Sequence, residues 1–260
     1  MKHATAPRTL VPTEQPRHVG RPAATIARAA LFDVDQTLVH AKTMVEFWRF
    51  WTTRWLADRA PDEADRPIRP LLTLPREEAN RGYYRLFRGV AAEDLAEAGR
   101  AWYADFMSRG DTLLPDTVRE LLRHQARGDR IVLVSGSMHA CLDPLARVFG
   151  ADVLCTEQEV DADGRFTGRL DRSVIGTGRL RTVRAALEAW DIDPAHCSAY
   201  ADHETDLELL HAVGDPVVVG DDPVLLAVAE AHGWRSLPGA MPRHEARPER
   251  SASDRQGTTR

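Results

Sequence analysis

An α/β fold, with a doubly wound parallel sheet as core and a helical cap inserted after its first strand, is what this sequence predicts, and three observations lead there. Short β-branched or apolar runs alternate with helix-like stretches: IARAALFDVD, DRIVLVSGS, DVLCT, CSAYAD and PVVVG. That alternation is how strands joined by crossover helices read. The runs IVLV (131–134) and VVV (217–219) are apolar without a polar alternate, as strands covered on both faces are. Finally, between Lys42 and Asp111 the strand pattern stops and only helical spacing is found.

Taken in order, residues 1–25 carry four prolines (Pro7, Pro12, Pro16, Pro22) and no apolar run of signal-peptide type, so they read as a flexible tail. The core domain is expected in two pieces, 26–41 and 112–238, with 42–111 as the cap between them. In that cap Met44, Phe47, Trp48, Trp51 and Trp55 recur at three- and four-residue spacing, an apolar helix face whose rings serve mostly core packing. Arg81, Arg85 and Arg88 fall on one helical stripe and read as a solvated face, with substrate contact as the alternative. Residues 157–170, EQEVDADGRFTGRL, have the Asp-Gly turn of a β-hairpin. Residues 239–260 are polar and form a second flexible tail.

The bulk numbers exclude several classes. With 34 basic against 39 acidic residues the net charge is −5, without the basic excess that nucleic-acid or anionic-membrane binding calls for. No window approaches the ~18 apolar residues of a membrane span. Cys141, Cys155 and Cys197 lack CxxC spacing and read as reduced core residues of a cytoplasmic protein. Nothing in the composition fixes an oligomeric state.

The chemistry is concentrated in LFDVDQTLVH (31–40). Period two in an extended backbone puts Asp33 and Asp35 on one side of a strand end, where an apolar approach makes a bare carboxylate costly. Such a pair calls for a cation. In YADHETDLELL, Asp202 ends a later strand and Asp206 follows four residues on. A hard cation such as Mg²⁺ takes oxygen ligands of this kind. Each residue also has a plainer reading: Asp206 as a first-turn acid stabilised by the helix dipole, Asp202 and Ser135 as helix caps. His203 either touches the site or faces solvent.

DxDxT after the first strand, Ser135 of LVSGS after the second major strand, a basic residue in the helix start GTGRLRTV and Asp202-x3-Asp206 occur in one order. In that combination the chain resembles the haloacid dehalogenase-like superfamily, in its phosphoserine phosphatase-like branch, over roughly residues 27 to 238. The resemblance implies a Rossmann-like core and a Mg²⁺-dependent phosphatase acting on a small phosphorylated metabolite through an aspartyl-phosphate. Asp33 would be the nucleophile, and Asp35 would protonate the leaving group and then activate water. Ser135 would bind phosphoryl oxygens with the backbone amides around Gly136 and Ser137, and Thr37 would support the loop on the substrate side. Mg²⁺ would sit between Asp33, the main-chain carbonyl of Asp35 and Asp202, with Asp206 orienting the site.

Two departures follow. The family usually has lysine where this chain offers Arg179, or Arg181 two residues on; Lys2 and Lys42 are its only lysines. Arginine carries the same charge on a bulkier planar fork. In phosphoserine phosphatases, a glutamate nine residues after the nucleophile reads the substrate ammonium; here that position is Lys42, which turns the preference toward acidic or hydroxylated substrates. Gln36 also stands where the family often has Gly, Ser or Glu. Phosphotransfer to an acceptor other than water, and a catalytically inactive binding protein of the same fold, are the alternatives.

Overall fold

A computed structural model describes residues 28–57, 60–61 and 63–239; the predicted N-terminal tail and residues 240–260 lie outside the described residues. The chain opens with β1 (Ala29–Phe32) and enters the insert through α1 (Thr43–Phe50), a π-helical segment (Trp51–Trp55), a 3₁₀ segment (Arg69–Thr73), α2 (Arg76–Arg85) and α3 (Ala92–Ser108). It continues as α4 (Pro115–Arg127), β2 (Arg130–Ser135), α5 (His139–Phe149) and β3 (Asp152–Cys155), then a hairpin of β4 (Glu157–Val160) and β5 (Phe166–Arg172). Last come α6 (Thr177–Ala189), β6 (Ser198–Ala201), α7 (Leu207–His211), β7 (Asp215–Val219), α8 (Pro223–His232) and β8 (Arg235–Leu237).

Six strands pair in parallel in the order β3-β2-β1-β6-β7-β8. Alternate residues of the central strands feed two separate apolar clusters. Ala30, Phe32, Ile131, Leu133, Val217 and Val219 join one, with α5. Ala29, Leu31, Val132, Val134 and Val218 join the other, with α6, α7 and α8. A sheet buried on both faces has no polar alternate to show, so the strands read as unbroken apolar runs. The chain winds outward from β1 to β3 and then crosses to β6, so the switch point lies beside β1, and the crevice beyond its carboxyl end is where such sheets bind ligands. The three-residue edge strand β8 was not expected from the sequence, since Arg235 and Ser236 are exposed and carry no apolar run.

The insert is not an isolated globule. Phe47, Trp48, Trp51, Tyr83, Phe87, Trp102 and Phe106 belong to the same cluster as Phe32 and Leu133, and their rings meet edge-on or stacked, as in Trp48–Phe87 at 5.7 Å and Trp102–Phe106 at 5.1 Å. Gly99 lets α3 approach α5 closely: a Cβ there would lie 2.1 Å from the Ala140 carbonyl oxygen. Two linkers run side by side into the core, with the His40 amide donating to Thr112 O (2.9 Å) and that of Leu114 to Leu38 O (3.0 Å). The hairpin, which lies between core strands in the chain, is bonded to the insert: Gly89 N–H donates to Phe166 O and Ala92 N–H to Gly164 O, at 2.8 and 2.9 Å. Arg81, Arg85 and Arg88 lie on the exposed face, Arg88 reaching the Thr167 carbonyl of the hairpin.

Gly99→Ala tests the close approach of α3 and α5. The added methyl improves helix propensity by about 1 kcal/mol, but overpacking against a backbone carbonyl costs about 1–3 kcal/mol. The variant is therefore expected to melt below wild type in chemical denaturation.

Candidate active site

At the carboxyl end of β1 the chain leaves the extended conformation. The Val34 carbonyl accepts the amides of Leu38 and Val39 at 2.9 and 3.0 Å, and Gln36 takes a left-handed backbone, φ +61°, a conformation that costs a side-chain-bearing residue about 1–3 kcal/mol. This turn separates two carboxylates that period two alone would set alike. Asp33, 5% exposed, meets Arg179 Nη2 at 2.8 Å. Asp35 turns to α1, its Oδ1 accepting from the Thr43 amide (3.0 Å) and hydroxyl (2.7 Å). Thr43 Oγ1 also lies 3.0 Å from Ser137 Oγ. Since Thr43 has one hydroxyl proton and donates it in a hydrogen bond to an ionised Asp35, the Ser137 hydroxyl is the donor in its contact with Thr43.

The chain segment after β6 supplies the second pair of acids. Asp206 is buried and its Oδ1 lies 2.8 Å from Arg179 Nη1, so the guanidinium spans Asp33 and Asp206. Arg179 comes from the first turn of α6, where Gly178 packs against the Ser173 carbonyl; Arg181 lies on the exposed side. Burial works against the charge of Arg179, but Asp206 and Asp33 more than offset it and raise its pKa. Asp202 accepts from Thr37 Oγ1 at 2.9 Å. Thr37, expected among the substrate contacts, is fully buried and is not part of the cavity wall; its hydroxyl holds Asp202. The cap roles of Asp202 and Ser135 do not operate: His203 Nδ1, not Asp202, accepts the Thr205 amide at 3.2 Å, and Ser135 Oγ accepts the Ser137 amide at 3.1 Å; Asp206 does stand in a helical first turn, in the 3₁₀ segment directly before α7. The Ser137 amide is thereby turned inward, while the Ser135 hydroxyl proton stays available.

One oxygen from each of Asp33, Asp202 and Asp206 lies within 4.8 Å of the others, the one such group among the described residues. Burial first, and then the charge of Asp33, raise the pKa of Asp202; burial also raises that of Asp206, against Arg179. Asp206 Oδ2 is buried without a partner. Three converging carboxylates with one guanidinium among them are short of positive charge, and an all-oxygen donor set suits Mg²⁺. The Asp35 carboxylate lies outside this group, so only its main chain could serve a metal there. Burial, opposed by Thr43 and aided by Asp33, pushes Asp35 up to about 6, within reach of giving and taking a proton near neutrality.

A cavity of about 280 Å³ opens over these groups, lined at its floor by Asp33, Asp35, Ser135, Gly136, Ser137, Arg179 and Asp202, and at its sides by the insert. A Cβ on Gly136 would come within 2.7 Å of Ile175. Its carbonyl accepts from Asn80 Nδ2 (2.9 Å) and Tyr84 Oη (3.0 Å), one turn apart on α2, which ties the insert to the floor. Lys42 stands exposed at the rim just before α1. His203 also lines the cavity. Arg76, in the first turn of α2, reaches Thr205 Oγ1 at 2.5 Å and lines the wall. Thr43, Asn80, Tyr84 and Arg76 were not singled out in the sequence, where no motif marks them.

The family model for haloacid dehalogenase-like hydrolases matches residues 30–211. A Streptomyces azureus protein named for inhibition of morphological differentiation is 28% identical over 80% of this chain and 77% of its own. A histidinol-phosphatase of Neisseria meningitidis is 25% identical over 80% and 97%. Among solved structures, a Bordetella pertussis protein of unknown function superposes with a TM-score of 0.70 at 29% identity, over 82% of this chain and 99% of that one. A substrate-bound phosphoserine phosphatase, at 18% identity and a TM-score of 0.54 over 76% and 89%, shares the fold. No helix among the described residues is long and apolar enough to cross a membrane. With its model match spanning most of the chain, from β1 through α7, this protein belongs to the haloacid dehalogenase-like hydrolase family.

Proposed function

We propose that the protein is a Mg²⁺-dependent phosphatase that hydrolyses a small phosphorylated metabolite through a phosphoryl group carried on Asp33. The observation that carries this reading is the division between the two first-loop acids: Asp33 faces Arg179, Asp202 and Asp206, whereas Asp35 is held apart by Thr43. Nucleophile and proton carrier need opposite environments, one charged and compensated, the other able to hold a proton near neutrality.

Asp33, Asp202 and Asp206 would hold the ion, with the Asp35 carbonyl as the further protein ligand; bound there, Mg²⁺ neutralises charge between a carboxylate and a phosphate dianion. Arg179 holds Asp33 and offsets charge on the phosphoryl group, and the Ser135 hydroxyl donates to a phosphoryl oxygen. Asp33 attacks phosphorus as the ester oxygen departs with the proton of Asp35. Asp35, now ionised and steadied by Thr43, takes a proton from water as that water attacks the aspartyl-phosphate. The insert presents Lys42 and Arg76 to the cavity, both complementary to an anionic substrate. The Neisseria meningitidis relative named histidinol-phosphatase supports phosphatase activity.

Hydrolysis of 4-nitrophenyl phosphate with Mg²⁺ tests the reading: Asp33→Asn is expected to lose all turnover, and wild-type rates in that variant would remove Asp33 from the reaction. Asp35→Asn is expected to lower kcat by about 10²–10⁴-fold, the usual contribution of a positioned acid and base. Mg²⁺ at a hundredfold excess over its Kd should stabilise metal-stripped protein by about 2.7 kcal/mol, read as a rise in Tm, and Asp202→Asn should abolish the rise. Thr37→Val, which removes the hydroxyl holding Asp202, is expected to weaken Mg²⁺ binding by about 10–100-fold in a calorimetric titration.

A further inference from the structure

The cavity is two-sided in chemistry. Its carboxylates, Asp33, Asp35 and Asp202, are all at the floor. The wall contributed by the insert is instead Met44, Val45, Leu71, Leu72, Leu74 and Tyr83, broken by Asn80, whose amide is spent on Gly136, and by Lys42 and Arg76. The Tyr83 hydroxyl is likewise spent, donating to Met44 O at 2.7 Å, so that its ring is what the wall offers. Leu72 is 63% exposed and Leu74 42%, although both line the cavity. Large apolar side chains left open to solvent beside a phosphoryl site gain only when something apolar covers them.

We propose that this site takes phosphomonoesters of apolar alcohols, the alkyl or aryl body lying against Leu71, Leu72, Leu74 and Met44 while the phosphate rests on the floor. The inference rests on the phosphatase reading for its hydrolytic step, not for the shape of the ligand. An amino-acid phosphate fits poorly. Its ammonium would find no carboxylate on the insert wall and two cations, Lys42 and Arg76, close by. An apolar body needs no counter-charge and meets no like charge in the two cations. Leu71 packs over Gly82 and is part of the folded insert, whereas Leu72 and Leu74 are free to be changed without opening the core.

Non-hydrolysable n-alkylphosphonates, titrated calorimetrically into the Mg²⁺-bound protein, read the wall without requiring turnover. From ethyl- to hexylphosphonate the Kd is expected to fall by about fourfold per methylene while the chain stays in contact with the wall, and phenylphosphonate should bind more tightly than ethylphosphonate. In Leu72→Ser/Leu74→Ser the ethyl-to-hexyl gain should shrink by about tenfold. Equal affinity for ethyl- and hexylphosphonate, or a lower KM for O-phosphoserine than for hexyl phosphate, would overturn the inference. Length-dependent binding without hydrolysis of hexyl phosphate would leave the ligand class standing and overturn the phosphatase reading.

Discussion

A single guanidinium between two buried carboxylates is the contact on which the rest of this molecule turns. Asp33 and Asp206 are each 2.8 Å from Arg179, and all three side chains are close to fully buried. Burial makes each charge costly, and only mutual compensation makes the set tolerable. The compensation is partial, because Asp202 adds a third carboxylate and Asp206 Oδ2 has no partner. The site is therefore built with a deficit of positive charge, and ligands that bring charge of that sign, or that exploit it through a bound cation, have a reason to settle there.

Arginine in this place has geometric consequences. A lysine ammonium is a point charge that serves one carboxylate well; the planar fork of Arg179 spans two at once. Gly178, directly before it, allows α6 to start against the Ser173 carbonyl, where a Cβ would lie 2.3 Å away.

Much of this was legible in the sequence for physical reasons. Strands covered on both faces read as unbroken apolar runs, and their polar endings mark the carboxyl edge where Asp33, Ser135 and Asp202 stand. What period two missed was the turn after Phe32: the left-handed Gln36 belongs to a loop that sends Asp33 and Asp35 to different partners. Thr43, Asn80, Tyr84 and Arg76 were illegible for another reason. Helical spacing tells which residues share a face, not what that face meets, and Asn80 and Tyr84 meet a carbonyl 56 and 52 residues away. The hairpin was readable from its Asp-Gly turn, but its attachment to Gly89 and Ala92 runs through backbone atoms that carry no sequence mark. Edge strand β8 is too short and too polar to stand out.

The aromatic residues of the insert and the apolar residues of β1 and β2 share one continuous cluster, with α3 seated on α5 through Gly99. Such continuity joins into one cooperative unit what the order of the chain divides in two. Heat or denaturant should then take both parts through a common transition with matching calorimetric and van't Hoff enthalpies. A lone fragment spanning the insert would strand half of an oily interior in water.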